Sequence, residues 1–178
     1  LTIFGKNFGD DKGQIFFDLV EPIWHCSSSL SGLILHWPFV EGEGDSVSDL
    51  SGNSYSGDII GSDWQEEIDD KKTFLVFDGN NGGVEGPASN EIIGNEASQI
   101  TMSAWFKTTS AERQYIASLK RTGINEGDST LMALTTGKTP GSAGLLAREI
   151  GNEAHYWLED DNSGVGYSDG EWHHLVGV

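Results

Sequence analysis

The feature that most constrains the fold of this chain is an alternation of apolar and polar side chains over residues 100–107, ITMSAWFK. The apolar positions are Ile100, Met102, Ala104 and Phe106, and the polar ones are Thr101, Ser103 and Lys107. Successive side chains of a β-strand point to opposite faces. The period therefore predicts a strand with one buried face. A second row of this kind covers residues 33–40, where the apolar positions are Leu33, Leu35, Trp37 and Phe39.

Other segments rich in branched and aromatic residues are short and separated by Gly, Asp and Asn. The predicted strands are 33–40, 56–61, 73–78, 100–108, 114–120, 130–135, 143–149, 154–159 and 172–178. Asp and Asn suit tight turns because they bond to nearby backbone, and Gly tolerates positive φ. Residues 88–98 are the nearest to a helical pattern and predict one or two turns at most. Many short strands without a long helix predict an all-β sandwich or barrel.

The charge of the chain bears on its partners. Twenty-eight acidic residues and ten basic residues give a net charge of −18. Such a field repels nucleic acid and anionic bilayers, so neither is expected as a partner. Membrane insertion is not expected either, because no apolar run approaches the ~20 residues of a spanning helix. The acidic excess fits either solubility, including in a saline setting, or clusters of carboxylates around a hard cation such as calcium.

The first thirty residues differ in composition from the rest. Residues 1–17 predict two short strands around a Gly/Asp turn, and the serines at 27–29 have the makeup of a linker. We therefore predict a boundary near residue 30. Residues 1–29 would be a fragment of an upstream module with its linker, and residues 30–178 would form the β-sandwich.

Four spaced motifs resemble laminin-G-like domains of the concanavalin A-like lectin/glucanase group. The first, residues 33–61, has an apolar strand with Trp and Phe, an acidic Gly loop and Asp-Leu-Ser-Gly-Asn. The second is Leu-Val-Phe-Asp-Gly at 75–79, and the third is the Ser-Ala-Trp strand within 100–107. The fourth is Asp-Gly-Glu-Trp-His-His-Leu-Val at 169–176. The motifs occur in the order typical of the family.

This resemblance implies a concanavalin A-like jelly-roll β-sandwich of two antiparallel sheets. Domains of the family continue beyond the Trp-His-His strand, so it also implies a sandwich that is incomplete at its C-terminus. Residues 1–18 resemble the start of a TIG/immunoglobulin-like repeat, in which Gly-Lys-Asn-Phe-Gly lies between two strands. Together the resemblances imply a larger multidomain protein, secreted or at the cell surface, with neighbouring domains on the same polypeptide.

Catalytic chemistry is not predicted. Jelly-roll glycosidases carry two carboxylates on one strand in the pattern Glu-x-Asp-x-x-Glu, and Glu67 and Asp69 resemble its start. Lys72 occupies the position of the acid/base carboxylate, so we interpret residues 64–72 as a solvated loop. His173 and His174 are adjacent in a predicted strand and would face opposite sides, so they would not share a site.

Binding is the function that the sequence favours. Calcium takes six to eight oxygen ligands, which loops rich in Asp, Asn and Gly can supply. Many laminin-G-like domains hold calcium at one rim of the sandwich, and by that resemblance Asp49, Asn53 and Asp78 are the candidate ligands. The alternative is that these three residues only shape turns.

Carbohydrate is the expected organic ligand, because sugars stack on aromatic rings while polar neighbours bind the hydroxyls. The candidate contacts are Trp64 and Trp157, and packing is the alternative role for both. The sequence thus predicts a non-catalytic module that recognises a glycan or a protein surface in adhesion, with calcium as a candidate cofactor. The alternatives are an accessory domain of a polysaccharide-degrading enzyme and a structural spacer repeat.

Overall fold

The structure is a computed structural model that describes residues 32–67, 72–79, 82–92, 99–120, 130–136, 139, 141–148, 155–160 and 166–178. These residues form an all-β structure of antiparallel strands with one four-residue helical turn. They fall into two compact units, one ending at Pro87 and the other beginning at Ala88. The predicted boundary near residue 30 and the predicted upstream module lie outside the described residues.

The first unit contains two small antiparallel sheets. One has the order β1-β2-β5, formed by Ser46–Val47, Gly57–Ile60 and Gly83–Glu85. The other pairs β3 (Ser62–Glu67) with β4 (Lys72–Phe77), and Glu67 lies opposite Lys72 in its register. The interpretation of residues 64–72 as a loop is therefore wrong for 64–67 and for Lys72. Polar residues are compatible with a strand here because pairing with β4 satisfies the backbone of β3, and most of these polar side chains remain exposed to solvent.

The second unit begins with the helical turn α1 (Ser89–Ile92) inside the segment predicted to be helical. Its strands are β6 (Met102–Phe106), β7 (Tyr115–Lys120), β8 (Thr130–Thr136), β9 (Ala143–Arg148), β10 (His155–Asp160) and β11 (His173–Gly177). Four of them form a sheet in the order β10-β9-β8-β7, and β11 pairs with β6. All of these pairings are antiparallel. Each of these six strands overlaps a predicted one.

The core of the second unit lies between its two sheets. Its buried members are Met102, Ala104, Leu119, Met132, Leu134 and Leu145. The alternation in residues 100–107 is confirmed on its apolar side, because Met102, Ala104 and Phe106 are all buried. The polar side differs from expectation, since Ser103 is only 1% exposed. His174 lies beside it, with its Nε2 atom 3.3 Å from Ser103 Oγ.

The predicted strand at 33–40 is wrong, since the structure contains no strand in that segment. Leu35 and Trp37 are nevertheless buried, as the alternation predicts. The backbone of residues 33–36 finds its partners in residues 49–53, the Phe39 carbonyl accepts from Thr73 Oγ1, and at Phe39 the chain enters the left-handed region, with φ 57°. In the described part of the chain, no helix has the length and apolarity to cross a membrane.

Candidate functional site

The Asp49 carboxylate is the centre of a closed turn in the first unit. Its Oδ1 atom accepts hydrogen bonds from the backbone N–H groups of His36 and Ser51, both at 2.9 Å. Its Oδ2 atom accepts from Ser51 Oγ at 2.7 Å and from the Tyr55 N–H at 2.9 Å. Partial burial would by itself raise the pKa of Asp49, but these hydrogen bonds together hold the pKa below its ordinary value.

Asn53 completes the same turn. Its Nδ2 atom donates to the carbonyl oxygen of Ile34 at 2.9 Å, to that of Leu33 at 3.3 Å and to Ser51 Oγ at 3.2 Å. Ser51 Oγ, whose proton is directed to the Asp49 carboxylate, also lies 3.0 Å from the carbonyl oxygen of Ile34. Asp49 and Asn53 thus attach residues 33–36 to the turn through side-chain bonds. This explains how that segment satisfies its backbone without forming a strand.

The three predicted calcium ligands are brought together only in part. Asp49 and Asn53 share Ser51 as a neighbour, and the four donors on Asp49 match the roughly four lone-pair sites of a carboxylate. Asp78 is exposed and follows β4. Within the described ranges, no group of three or more His, Cys, Asp or Glu side chains is arranged to hold a metal ion. Calcium binding by these residues stays a prediction.

Trp64, one of the two predicted sugar contacts, holds the acidic loop that precedes β1. Its indole Nε1 donates to the carbonyl oxygen of Gly44 at 2.8 Å, and Gly44 has a φ of 88°. The ring also meets Phe39 at a centroid distance of 6.4 Å. The polar end of the indole is bound to backbone, so Trp64 supports the loop of the first unit. Its role as a sugar contact stays a prediction.

Trp157, the other predicted contact, belongs to a surface of the second unit that we call the aromatic–arginine patch: Arg113, Tyr115 and Trp157. The Arg113 guanidinium carbon lies 5.3 Å from the centroid of the Trp157 ring and 5.8 Å from that of Tyr115. Tyr115 is 52% exposed, and Arg113 is also exposed. A cation over aromatic faces is attracted by the ring quadrupole, so the three side chains stabilise one another.

The sheet register places the two aromatic residues of the patch on one face. Trp157 lies opposite Leu146, which lies opposite Ala133, and Tyr115 lies opposite Thr135 two residues further along β8. Cross-strand partners and residues two apart share a face. Trp157 and Tyr115 therefore lie on the same face of the four-stranded sheet, one on each of its two edge strands. The sequence prediction missed Arg113 and Tyr115, since nothing local relates them to Trp157.

The backbone that carries Arg113 is held in place by Thr136, at the end of β8. Thr136 Oγ1 donates to the carbonyl oxygen of Glu112 at 3.0 Å and accepts from the Gln114 N–H at 2.7 Å. The Thr136 N–H donates to the carbonyl oxygen of Gln114 at 2.9 Å. Both neighbours of Arg113 are thereby fixed to a buried residue of the sheet. The position of the arginine relative to the sheet is pre-organised.

The histidine pair of β11 lies in two separate environments, which supports the prediction that these residues do not share a site. His173 Nε2 is 2.9 Å from Asp169 Oδ1, and its ring meets Tyr167 edge-on at 5.1 Å. His174 stacks on Trp105, with ring centroids 4.9 Å apart. The bond to His173 is the main cause that lowers the pKa of Asp169. This pair fastens the turn before β11, since Asp169 Oδ1 also accepts from the Glu171 N–H at 2.8 Å.

An apolar groove lies between the edges of the two sheets of the second unit, with a volume of about 250 Å³. Leu145, Leu158 and Val176 are among its lining residues. Leu158 is 65% exposed and Val176 is 50% exposed. The groove carries one acidic side chain, Glu159, whose Oε2 atom accepts from Thr139 Oγ1 at 3.2 Å. Its lining is otherwise suited to aliphatic contacts.

The chain has no significant match among protein-family models, curated proteins or solved structures.

Proposed function

We propose that this chain is a non-catalytic carbohydrate-binding module with a laminin-G-like, concanavalin A-type jelly-roll sandwich, and that it belongs to a larger secreted or cell-surface protein. The resemblance of its motifs supports the sandwich type, and the antiparallel all-β architecture agrees with it. The observation that carries the binding role is the aromatic–arginine patch. It combines an exposed tyrosine, a partly exposed tryptophan and a cation on one face of a sheet.

The chemistry of the patch suits sugars. Pyranose rings present apolar C–H faces that pack on aromatic rings, and their hydroxyls accept hydrogen bonds from donors such as a guanidinium. A rigid sheet supports the patch, with Leu146 and Ala133 buried between the two edge strands. Sites built on sheets keep their geometry better than sites on loops, and Thr136 fixes the segment that carries Arg113.

Calcium belongs to the same proposal as a component to be tested separately, with Asp49, Asn53 and Asp78 as its ligands. Asp49 and Asn53 already make hydrogen bonds within the protein, so a bound ion would have to replace some of them or use the remaining oxygens. The glycan array and the calorimetric titration are therefore run both with calcium and with a chelator.

The test is a glycan array probed with the full 178-residue chain, followed by calorimetric titration of the glycans that bind. We expect Trp157→Ala to weaken the affinity by on the order of tenfold, because it removes one aromatic surface. The matched control is Tyr156→Ala, which removes the adjacent side chain, 55% exposed and on the opposite face of β10. Equal losses in the two variants would contradict the proposed site.

Silence of the array with and without calcium would contradict carbohydrate binding and would favour a structural spacer. A hydrolase or lyase domain on the same polypeptide would instead identify the chain as an accessory module of a polysaccharide-degrading enzyme. In that case the binding site itself would remain as proposed.

A further inference from the structure

Arg113 is an unusual cation in this acidic chain. The sequence contains 28 acidic and ten basic residues, yet Arg113 makes no hydrogen bond or ion pair with the residues that the structure describes. Its guanidinium lies over two aromatic rings and is exposed to solvent. A guanidinium has five N–H donors in a planar fork that matches a carboxylate in a bidentate manner. Contacts with ring faces leave those donors available for an acceptor from outside.

We infer that the aromatic–arginine patch recognises an acidic sugar, with the carboxylate of a uronate residue on Arg113 and its pyranose ring against Tyr115 and Trp157. This inference rests on the proposed carbohydrate-binding function and names the class of sugar. The two ring centroids lie within 5.8 Å of the guanidinium carbon. A carboxylate bonded to the fork therefore brings the sugar ring that bears it into reach of the aromatic side chains.

The net charge of −18 limits the form of this ligand. The field of the whole chain repels a polyanion, but at physiological ionic strength it is screened over roughly 8 Å. A single carboxylate that binds Arg113 is therefore repelled only weakly by the acidic residues elsewhere in the chain. The ligand that fits is a largely neutral glycan with isolated uronate residues, rather than a polymer charged at every unit.

Pre-organisation adds to the selectivity. The Glu112 carbonyl and the Gln114 N–H are both bonded to Thr136 Oγ1, so the backbone that carries Arg113 is already held when the ligand arrives. The same arrangement distinguishes Arg113 from Lys107, a second cation that lies over a ring among the described residues of this unit. The Lys107 ammonium is 6.0 Å from the centroid of Trp172 and presents a point charge instead of a fork.

The experiment follows the Arg113 Nε–H and Trp157 Nε1–H resonances of the full chain by NMR. The chain is titrated with sodium glucuronate, methyl glucoside or sodium acetate. We expect glucuronate to shift both resonances and to reach half-saturation at a concentration about tenfold lower than methyl glucoside does. Acetate is expected to move the Arg113 resonance alone and at higher concentration. Arg113→Gln, read at Trp157, should abolish the preference for glucuronate, and Lys107→Gln should leave it unchanged.

Three results separate the outcomes. If glucuronate and methyl glucoside bind equally and Trp157→Ala weakens both, the proposed function stands and the acidic-sugar inference is overturned. If no sugar shifts the Trp157 resonance, both are overturned. If acetate binds as tightly as glucuronate, Arg113 is a general carboxylate site that an acidic peptide can also use, and sugar selectivity is overturned.

Discussion

Thr136 and Gln114 are bonded to each other twice. The Thr136 N–H donates to the Gln114 carbonyl oxygen at 2.9 Å, and the Gln114 N–H donates to Thr136 Oγ1 at 2.7 Å. The same hydroxyl donates to the Glu112 carbonyl oxygen. The Thr136 side chain continues the pairing of β8 with the chain segment before the start of β7, and this segment carries Arg113. The position of the candidate ligand-binding cation therefore depends on one buried hydroxyl.

Replacing that hydroxyl tests its role. Thr136→Val keeps the shape of the side chain but removes both hydroxyl bonds, so we expect the free energy of unfolding to fall by about 1–3 kcal/mol. Affinity for any sugar bound at the patch should fall as well. Urea denaturation and calorimetric titration measure the two effects.

Thr135 provides the matched control. It is 0% exposed, and its hydroxyl has no hydrogen-bond partner among the described residues. Thr135→Val is therefore expected to leave stability unchanged or to raise it, by up to about 1 kcal/mol, because it removes an unsatisfied buried polar atom. Similar losses of stability in the two valine variants would show that the two hydroxyl bonds of Thr136 do not stabilise the protein.

A pH dependence is expected from His36. Burial lowers the pKa of its ring from 6.5 to about 4, and the Asp49 carboxylate opposes that shift. Between these pH values the unfolded chain binds a proton that the folded chain does not, so stability should decrease as the pH falls from 6.5 to 4. Each pKa unit corresponds to about 1.4 kcal/mol, which gives a total of roughly 1–3 kcal/mol for a partly buried ring.

Urea denaturation of His36→Gln and of the unaltered chain between pH 7.5 and about pH 4 measures this contribution. The other histidines titrate in both proteins, so the difference between the two curves isolates His36. We expect the variant to lose less stability over this range. Parallel curves would show that His36 does not contribute.

Asp49 distinguishes a structural turn from a calcium site. Asp49→Asn replaces a carboxylate oxygen, which accepts hydrogen bonds, by an NH₂ group that faces other donors. We therefore expect the free energy of unfolding to fall by about 2 kcal/mol, also when a chelator is present. Asp63→Asn, on the exposed side of β3, is the control and should have little effect. If calcium stabilises the unaltered chain and a chelator reproduces the loss seen in Asp49→Asn, then metal ligation explains this residue.

The packing around Trp37 predicts the effect of two glycine substitutions. The Trp37 indole donates to the Tyr55 carbonyl oxygen at 2.8 Å and is thereby fixed. A Cβ atom at Gly57 would lie 2.7 Å from Trp37 Cζ2, and one at Gly86 would lie 2.6 Å from the same atom. We expect alanine at either position to destabilise the protein by about 1–3 kcal/mol through overpacking.

Gly83 is the control for these substitutions, because a Cβ there would meet no atom within 4 Å. Thermal unfolding followed by tryptophan fluorescence compares the three variants. If Gly83→Ala lowers the melting temperature as much as Gly86→Ala does, close packing on Trp37 is not the cause.

The strands of the second unit could be predicted because their signal is local. Alternation at 100–107 and the apolar runs at 130–135 and 143–149 correspond to β6, β8 and β9. Local patterns also predicted the buried side chains Leu35 and Trp37. They did not predict that residues 33–40 form no strand. Alternation indicates which side chains are buried, but it does not indicate which groups form hydrogen bonds with the backbone.

Tertiary structure alone decided the roles of the polar and charged residues. An Asp in a Gly/Asn turn can bind a metal or close the turn, and the donors that surround Asp49 come from His36 and Tyr55 as well as from its own turn. Arg113 and Trp157 meet only because β10 and β7 belong to one four-stranded sheet. The sequence by itself determined the all-β class, because the strand period is a property of neighbouring residues. Contacts between distant residues depend on strand order and register, and these arise only when the whole sheet forms.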